Sequence, residues 1–371
     1  MDQSGTAQVR QPRGIVTAGG QRVPFVSFEV DNNSFYQADT FRVELPISAL
    51  PSGYGADWFA SQAKIDIQVF AGFPSDPTTY TTTDLTSLIY GRVDDMDVDW
   101  SARLITITGR DLTGQMIDTK TSEQYLNKTS SQVAAILAAK YGLTPVITAT
   151  TRKIGAYFQL DHVRSHEERT EWDLLNWLAR EEGFVAYVQG QELHFEPRGS
   201  GTSSFTLTYT PPPADGGPIS ANATKITTSH SLTLAKDIKV EVSSWHGKQQ
   251  RRFTATATGT KARNKVTKGS NSSSTPTQVY SYTYPNLDQA GAQAKANQLL
   301  AELSQHEFKL SFEGPADVAL MPSGKIQLQG TGTAFDQAYY PDSIVRSMTL
   351  DDGFKWTVSA KNHDPNSQVN L

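Results

Sequence analysis

Asp95, Asp97 and Asp99 alternate along one short run, a spacing that brings three carboxylates onto one face of a β-strand. Carboxylates at that spacing can bind calcium, but a calcium loop needs a glycine turn directly after them, and Trp100 stands there. The plain reading is a solvated strand face. A sharper one is the wall of a channel that must not hold DNA, because carboxylates repel phosphates. A second charged group is the run Lys248, Arg251, Arg252, Lys261, Arg263, Lys265 and Lys268, with no acid among them. Such an arm can grip phosphates or dock on an acidic neighbour. Only Phe253 is interleaved with it, short of the aromatic ladder of a single-strand binder, which favours docking.

The remaining chemistry-bearing residues fall short of a site. His166-Glu167 has Thr170 where a zincin helix needs its second histidine, so His162 and His166 read as surface loop residues. Gly330-Thr331-Gly332 lacks the third glycine of a dinucleotide fingerprint and reads as a turn. No nucleophile elbow or phosphate loop is present. Trp172 and Trp177 sit among leucines at helical spacing, the pattern of core rather than of a sugar platform. Glu167, Glu168 and Asp173 leave a hidden glycan hydrolase as an alternative, since paired carboxylates need only a set separation across a cleft. No catalytic residue, cofactor or metal is assigned, and the chain reads as not an enzyme.

The elements that would position these residues are mostly strands. At 371 residues two to four domains are expected. The absence of cysteine excludes disulfide frameworks, thiolate zinc sites and cysteine nucleophiles, and a net charge of −5 gives no global sign of nucleic-acid binding. The first residues lack the apolar core of a signal peptide and no stretch is long enough to cross a bilayer, so synthesis in a cytoplasm without membrane insertion is expected.

Residues 1–20 are polar and glycine-rich and read as a flexible arm. A first β-domain over 21–118 carries alternating runs at 25–30, 41–45, 64–70, 88–99 and 104–110. An α+β domain over 119–200 has one helix capped by Ser130 or Ser131, with Val133, Ile136, Leu137 and Tyr141 as its stripe and Gly142 as its stop. A second helix runs from Thr170, boxed by Asp173, to Gly183, and a hairpin at 184–188 and 193–195 follows. Strands at 225–234 and 237–245 lead into an inserted domain, 246–304, with a glycine- and serine-rich tip between two strands and a helix from Asp288 to about Ser304.

The chain states one hairpin twice. Val93, Met96, Val98 and Asp99 match Val345, Met348, Leu350 and Asp351 at constant spacing, and 105–111 match 356–362 after a turn one residue shorter. Upstream, 41–45 answer 308–312, 51–53 answer 322–324, and 64–68 answer 325–329, in the same order. The expected fold is therefore mainly β with α+β insertions. Two similar antiparallel β-barrels make it up, the second split over 201–245 and 305–365, plus two smaller domains. Phe41, Val43, Met96, Val98, Ile107, Phe308, Leu310, Met348, Leu350 and Val358 are its expected core.

Tyr90-Gly-Arg-Val-Asp-Asp95 followed by Ile105-Thr-Ile-Thr-Gly-Arg-Asp-Leu112 resembles the first β-domain of bacteriophage baseplate hub proteins of the late control D, or Mu-type hub, family, related to the N-terminal half of type VI secretion spikes. Glu171–Leu178 with Glu182–Val185, Trp245-His-Gly-Lys248, and Asp288–Leu303 leading into Phe308-Lys-Leu310 carry the likeness over about 25–362. The resemblance implies a structural late protein of the virion tail baseplate. Its homotrimer would present two barrels per chain as a pseudo-six-fold ring between a six-fold tail tube and a three-fold spike. It further implies the spike trimer, a tail tube or distal tail protein, other baseplate proteins and the tape-measure protein as partners. Phage DNA would pass through without specific binding. A peptidoglycan-binding module is the rival from another class.

Overall fold

The computed structural model describes residues 11–362 apart from 122, 124, 126–127, 152–168, 198–202, 215, 232–237, 248, 260–277, 286 and 305–307. The strands of the N-terminal half are β1 (Arg13–Ala18), β2 (Gln21–Val23), β3 (Ser27–Asn33), β4 (Thr40–Pro46), β5 (Asp66–Gly72), β6 (Thr86–Asp99), β7 (Leu104–Asp111), β8 (Lys120–Thr121), β9 (Thr144–Ile147), β10 (Arg169–Thr170), β11 (Phe184–Gln189) and β12 (Glu192–Pro197). Then come β13 (Ser204–Thr210), β14 (Ser220–Ala221), β15 (Lys225–His230), β16 (Ile238–His246), β17 (Arg251–Gly259), β18 (Gln278–Thr283), β19 (Phe308–Pro315), β20 (Lys325–Gln329), β21 (Ala338–Thr349) and β22 (Gly353–Lys361). The α-helices are α1 (Ala56–Ser61), α2 (Gly114–Asp118), α3 (Ser130–Lys140), α4 (Glu171–Glu182) and α5 (Gln289–Ser304). The fold is mainly β with small helical insertions, as the alternating runs predict. Among the described residues no helix is long and apolar enough to cross a membrane.

Two compact units divide the chain. The first is Met1–Pro197 with Pro315–Ala319 and Ser343–Thr357. Its sheet runs β21-β3-β4-β7-β6-β5-β1-β2, antiparallel at every step. Alternation sets the faces: Val43, Leu45, Ile105 and Ile107 are fully buried while Arg42, Glu44, Thr106 and Thr108 face away from them. The sheet is rolled. Asn32 on β3 donates from Nδ2 to the carbonyl of Leu88 on β6 at 2.9 Å, although β4 and β7 lie between them in the sheet order. Strands three places apart in a flat sheet would be roughly 14 Å apart. Gly91 and Gly109 make room for the roll, because a Cβ on Gly109 would meet the Arg92 carbonyl and come within 2.6 Å of the Phe41 ring.

The segment 119–197 in this unit has its own core, with Val133, Leu137, Trp172, Leu175, Leu178, Leu193 and Phe195 at its centre. Thr170 and Asp173 form the expected capping box on α4, and Gly183 ends it in the left-handed region at φ +70°. On α3 the cap is Thr129, boxed with Gln132, one residue before the serines expected to cap it. Ile136, expected in the buried stripe, is exposed.

The second unit is Arg198–Gly314, Leu320–Asp342 and Val358–Leu371. In it β13 pairs β20 in parallel and β15 pairs β19 antiparallel. A separate sheet, β17-β16-β18, with α5 against β16 and β17, forms the insertion, so β16 (Ile238–His246), expected in the second barrel, belongs to the insertion instead, because it pairs β17 and β18. Asp288 caps α5, its Oδ1 accepting from Gly291 N at 2.7 Å. The strands on either side of the 269–274 tip do not pair with each other. Both flank β16, and β18 runs parallel to it, a crossover that local pattern cannot reveal. The tip itself lies outside the described residues.

Three expectations on extent are corrected. Residues 13–18, placed in the flexible arm, form β1, which pairs β5 from Arg13 to Ala18 and buries Ile15, Val16 and Ala18. Leu350 is 82% exposed, because alternation was carried one residue past the end of β21 into a turn. Met96, Val98 and Phe308 are half-buried, while Phe41, Val43, Ile107, Leu310, Met348 and Val358 are core.

The repeat survives in the hydrogen bonding. The first copy is ordered β3-β4-β7-β6-β5, and the second β15-β19-β22-β21-β20. Substituting each strand by its counterpart in sequence converts one order into the other. The turn between β6 and β7 has four residues, Trp100–Arg103, and that between β21 and β22 has three, Leu350–Asp352. The copies differ beyond their last strands, where β1 joins β5 antiparallel and β13 joins β20 in parallel.

Candidate functional site

The three aspartates do share a face, and the register shows with what. Asp95 lies opposite Thr108, then Arg42, Glu29 and Ser347. Asp97 lies opposite Thr106, then Glu44, Ser27 and Thr349. Asp99 begins a shorter row with Leu104 and Pro46. Cross-strand partners point the same way, so these rows hold five carboxylates and one guanidinium on one polar surface. Glu29 and Glu44 were not singled out in the sequence. Their signal was there in Phe28-Glu-Val-Asp31 and Phe41-Arg-Val-Glu44, where every second residue is polar.

Local bonds distinguish the acids. Glu44 accepts from Ser27 Oγ at 2.8 Å and from Arg42 Nη2 at 3.1 Å, and these two hold its carboxyl below the usual range. Asp99 turns its Oδ1 to the backbone N–H groups of Ser101 and Ala102, each at 2.8 Å, and so caps the turn. Asp95 and Asp97 are exposed. An extended ladder holds all three apart along the strand, which is not the wrapping loop of a calcium site. The second copy carries Ser347, Thr349 and Asp351 at the matching positions, so the acidic row belongs to the first copy.

Beneath this face lies a polar cluster that the sequence did not disclose. Arg346, 1% exposed, donates from Nε to the Asp317 carbonyl at 3.1 Å and from Nη1 to Asn32 Oδ1 at 2.9 Å. Asn32 Nδ2 also donates to Asp39 Oδ2 at 2.8 Å, and Asn33 N donates to Asp39 Oδ1 at 2.8 Å. Part of Asp39 reaches solvent, but its carboxyl is enclosed, and burial raises it to about 7 against the lowering effect of these donors. Burial, and then the charge of Asp39, push Asp111 well up also. These groups come from four separate stretches of chain, and no local spacing announces them.

The basic arm is only partly described. Arg251 and Arg252 open β17, both exposed, with the Arg251 guanidinium 5.4 Å from the Phe253 ring centre. Lys248, Lys261, Arg263, Lys265 and Lys268 lie outside the described residues, as do His162, His166, Glu167 and Glu168. Asp173 is committed to its capping box, accepting from Thr170 Oγ1 at 2.8 Å. Trp172 is core, with Nε1 donating to the Tyr36 carbonyl at 3.1 Å, so it offers no sugar platform. Among the described residues no three metal-ligating side chains converge.

The fold is similar to that of solved phage tail proteins. The chain matches the tail protein from Neisseria meningitidis MC58 with a TM-score of 0.64 at 14% identity, over 95% of this chain and 97% of that one. It matches the 43 kDa tail protein of prophage MuSo2 from Shewanella oneidensis with a TM-score of 0.65 at 14% identity, over 95% and 98%. An E. coli component of the type VI secretion system matches with a TM-score of 0.51 at 11% identity, over 94% of this chain and 77% of that one. No curated protein matches the sequence. The family model that matches, over residues 66–349, is the Alg8 N-terminal domain, and the chain belongs to that family.

Proposed function

We propose that this protein is a structural hub of a phage-type tail baseplate. It forms a trimer whose two repeats per chain make a pseudo-six-fold ring, joins a six-fold tail tube to a three-fold spike, and continues the DNA channel. The observation that carries this reading is the strand order repeated within one chain, β3-β4-β7-β6-β5 and β15-β19-β22-β21-β20. A cyclic trimer of a duplicated subunit offers six near-equivalent arcs on one side while keeping three-fold symmetry on the other. The tail-protein fold of the solved relatives supports the same role. Asp95, Asp97 and Asp99 would then line three of the six arcs, and the basic arm would dock on an acidic neighbour in the baseplate. The working location is the virion tail, after synthesis in the host cytoplasm. Its partners are the spike, the tail tube or distal tail protein, and the tape-measure protein.

Light scattering on size-exclusion peaks, for the chain alone and mixed with the spike of the same particle, tests the proposal. Three copies per complex and a six-lobed ring in particle images are expected. A monomer under both conditions overturns it.

A further inference from the structure

The two copies differ in one respect that the matching strand order brings out. In the second copy, β21 turns into β22 along one edge and gives its other edge, over Ser343–Thr349, to β3 of the first copy. In the first copy, β6 likewise turns into β7, and β5 covers its other edge only as far as Arg92 opposite Asp66, with Val93 N still donating to Ile65 O at 3.0 Å. Past that point Asp94–Asp99 has no second strand among the described pairings. The counterpart of β3 is β15. Where β3 has β4 on one edge and β21 on the other, β15 has β19 alone among the described pairings. Among the described pairings these two segments thus each have one edge without a partner strand, and the internal β21:β3 ladder shows how edges of these two kinds join.

We infer that the Asp95–Asp99 edge of β6 pairs antiparallel with Lys225–Ser229 of β15 from a second copy of this chain. The inference rests on the trimeric hub reading and gives it a specific interface. Its register can be transferred from the internal ladder. Met348 lies opposite Phe28. Met96 is the counterpart of Met348. Thr228 is the counterpart of Phe28, because Thr228 sits opposite Leu310 as Phe28 sits opposite Val43. The pairing between chains then sets Asp95 opposite Ser229, Met96 opposite Thr228, Asp97 opposite Thr227, Val98 opposite Ile226, and Asp99 opposite Lys225.

Burial and charge both agree with this register. Phe28 and Met348, already joined within the chain, are 1% and 7% exposed. Met96, Val98, Ile226 and Thr228 are only half-buried, as an inner face would be before its edge is covered. The β15 segment brings no acid, and its Lys225, which meets Glu313 at 3.0 Å, stands beside the position assigned to Asp99. The first-copy counterpart strand β3 carries Glu29, which faces Ser347 in the internal ladder. Were β6 to pair with a β3 instead, Asp95 would face Glu29, and like charges directly opposite are destabilising. The aspartates thus occur in the copy whose neighbour is free of acids, and serine and threonine stand in the copy whose neighbour is not. The contact is head-to-tail, so it closes a ring when the rotation per chain allows.

Since the natural chain has no cysteine, paired cysteines report directly on the register. Opposed residues of an antiparallel ladder have Cα atoms about 4.5–5.5 Å apart, within the range a disulfide spans. Asp97→Cys combined with Thr227→Cys, oxidised under conditions where light scattering gives the trimer, is expected to yield covalent dimer and trimer on denaturing gels. Asp97→Cys with Ser27→Cys is expected to yield neither, because β3 is already covered. A trimer without the first cross-link, or with both cross-links equal, overturns the interface and leaves the hub reading standing. A monomer, alone and with the spike, overturns both. Charge placement provides a second measurement: Thr227→Asp, set opposite Asp97, should weaken association by up to about fivefold per interface, and adding Asp97→Lys should restore it. Equal weakening in the single and double variants counts against the register.

Discussion

Arg346 and Asn32 meet in the interior, guanidinium to amide oxygen at 2.9 Å, and the two residues are 314 positions apart in the chain. Arg346 comes from β21 and Asn32 from β3, the strands that join the second copy to the first. The bond fixes the junction because each partner is otherwise spoken for. Arg346 also holds the Asp317 carbonyl and lies 6.0 Å from the Trp356 ring centre, while Asn32 holds Asp39 and Leu88. Replacing Arg346 by methionine keeps the bulk but strands the amide oxygen of Asn32 and leaves Asp39 without a nearby cation. A loss of about 3–5 kcal/mol is expected, read as a lowered urea midpoint at unchanged slope. Lysine at the same position should recover little, having no planar fork to reach both acceptors.

Asp39 gives the protein a pH dependence of definite sign. Its carboxyl titrates near 7 in the folded chain and near 3.8 when free of the fold. Below about 4 both states hold the proton, and the group's contribution is complete. Between 4 and 7 only the folded state holds it, so stability falls as pH rises through that window, by at most about 4 kcal/mol. Asp39→Asn should lower stability throughout, since an amide N–H2 meets the donor of Asn32, yet should flatten this slope. Melting temperatures at pH 5 and 7.5 for both proteins check it. An unchanged difference between the two pH values would assign the slope elsewhere, with Asp111 the next group to vary.

These two residues also mark where sequence reading stops. The hairpin Met96–Ile107 and its echo are legible because alternation is local and a turn of four or three residues fixes the register. The acidic face is legible as three aspartates. Its continuation through Glu44 and Glu29 requires knowing which strand lies beside which. Arg346 and Asn32 look like ordinary polar residues in strands, and only the pairing of β21 with β3 shows that both point inward. β1 was hidden by the polar residues around its short apolar run, Ile15 and Val16. The parallel β18 was hidden because its partner β16 precedes β17 in the chain rather than standing next to β18 in sequence.

Gly109 should resist substitution more than its place in an ordinary strand suggests. An alanine Cβ would press on the carbonyl of Arg92 and on Phe41 Cζ at 2.6 Å. Overpacking of this kind costs about 1–3 kcal/mol. In a Phe41→Leu background the ring contact is relieved and the backbone contact is not, so Gly109→Ala should recover only part of its loss. Full recovery would assign the whole strain to the ring.

The polar face can be tested apart from the edge of its strand. Changing Asp95, Asp97 and Asp99 to lysine gives up the turn cap that Asp99 supplies but keeps the backbone ladder with β7, and it turns a repelling surface into one that attracts phosphate. If the face lines a DNA path, particles carrying the triple variant should eject DNA more slowly, and the delay should shrink as salt is raised. The variant also alters the edge opposite Lys225, so ring assembly must be confirmed by light scattering first. Assembled particles with normal ejection would remove these residues from the channel wall.

Glu171 anchors the α+β segment from within. It is fully buried at the first position of α4 and accepts from Lys140 Nζ and from Tyr141 Oη, each at 2.5 Å, on the end of α3. The helix N-terminus favours the charge, and the two donors satisfy it. Burial, followed by this bond, raises the Tyr141 hydroxyl above its ordinary 10.0. Removing the carboxylate by Glu171→Ala opens a hole and strands both donors, with a loss of about 3–5 kcal/mol expected. Lys140→Met should cost far less, because the lysine side chain is 42% exposed and Tyr141 still serves the carboxylate. If the two variants melt together, Glu171 is held by its packing and not by its charge. The order expected here, with Glu171 far ahead of Lys140, follows from which partner gives up its water on folding.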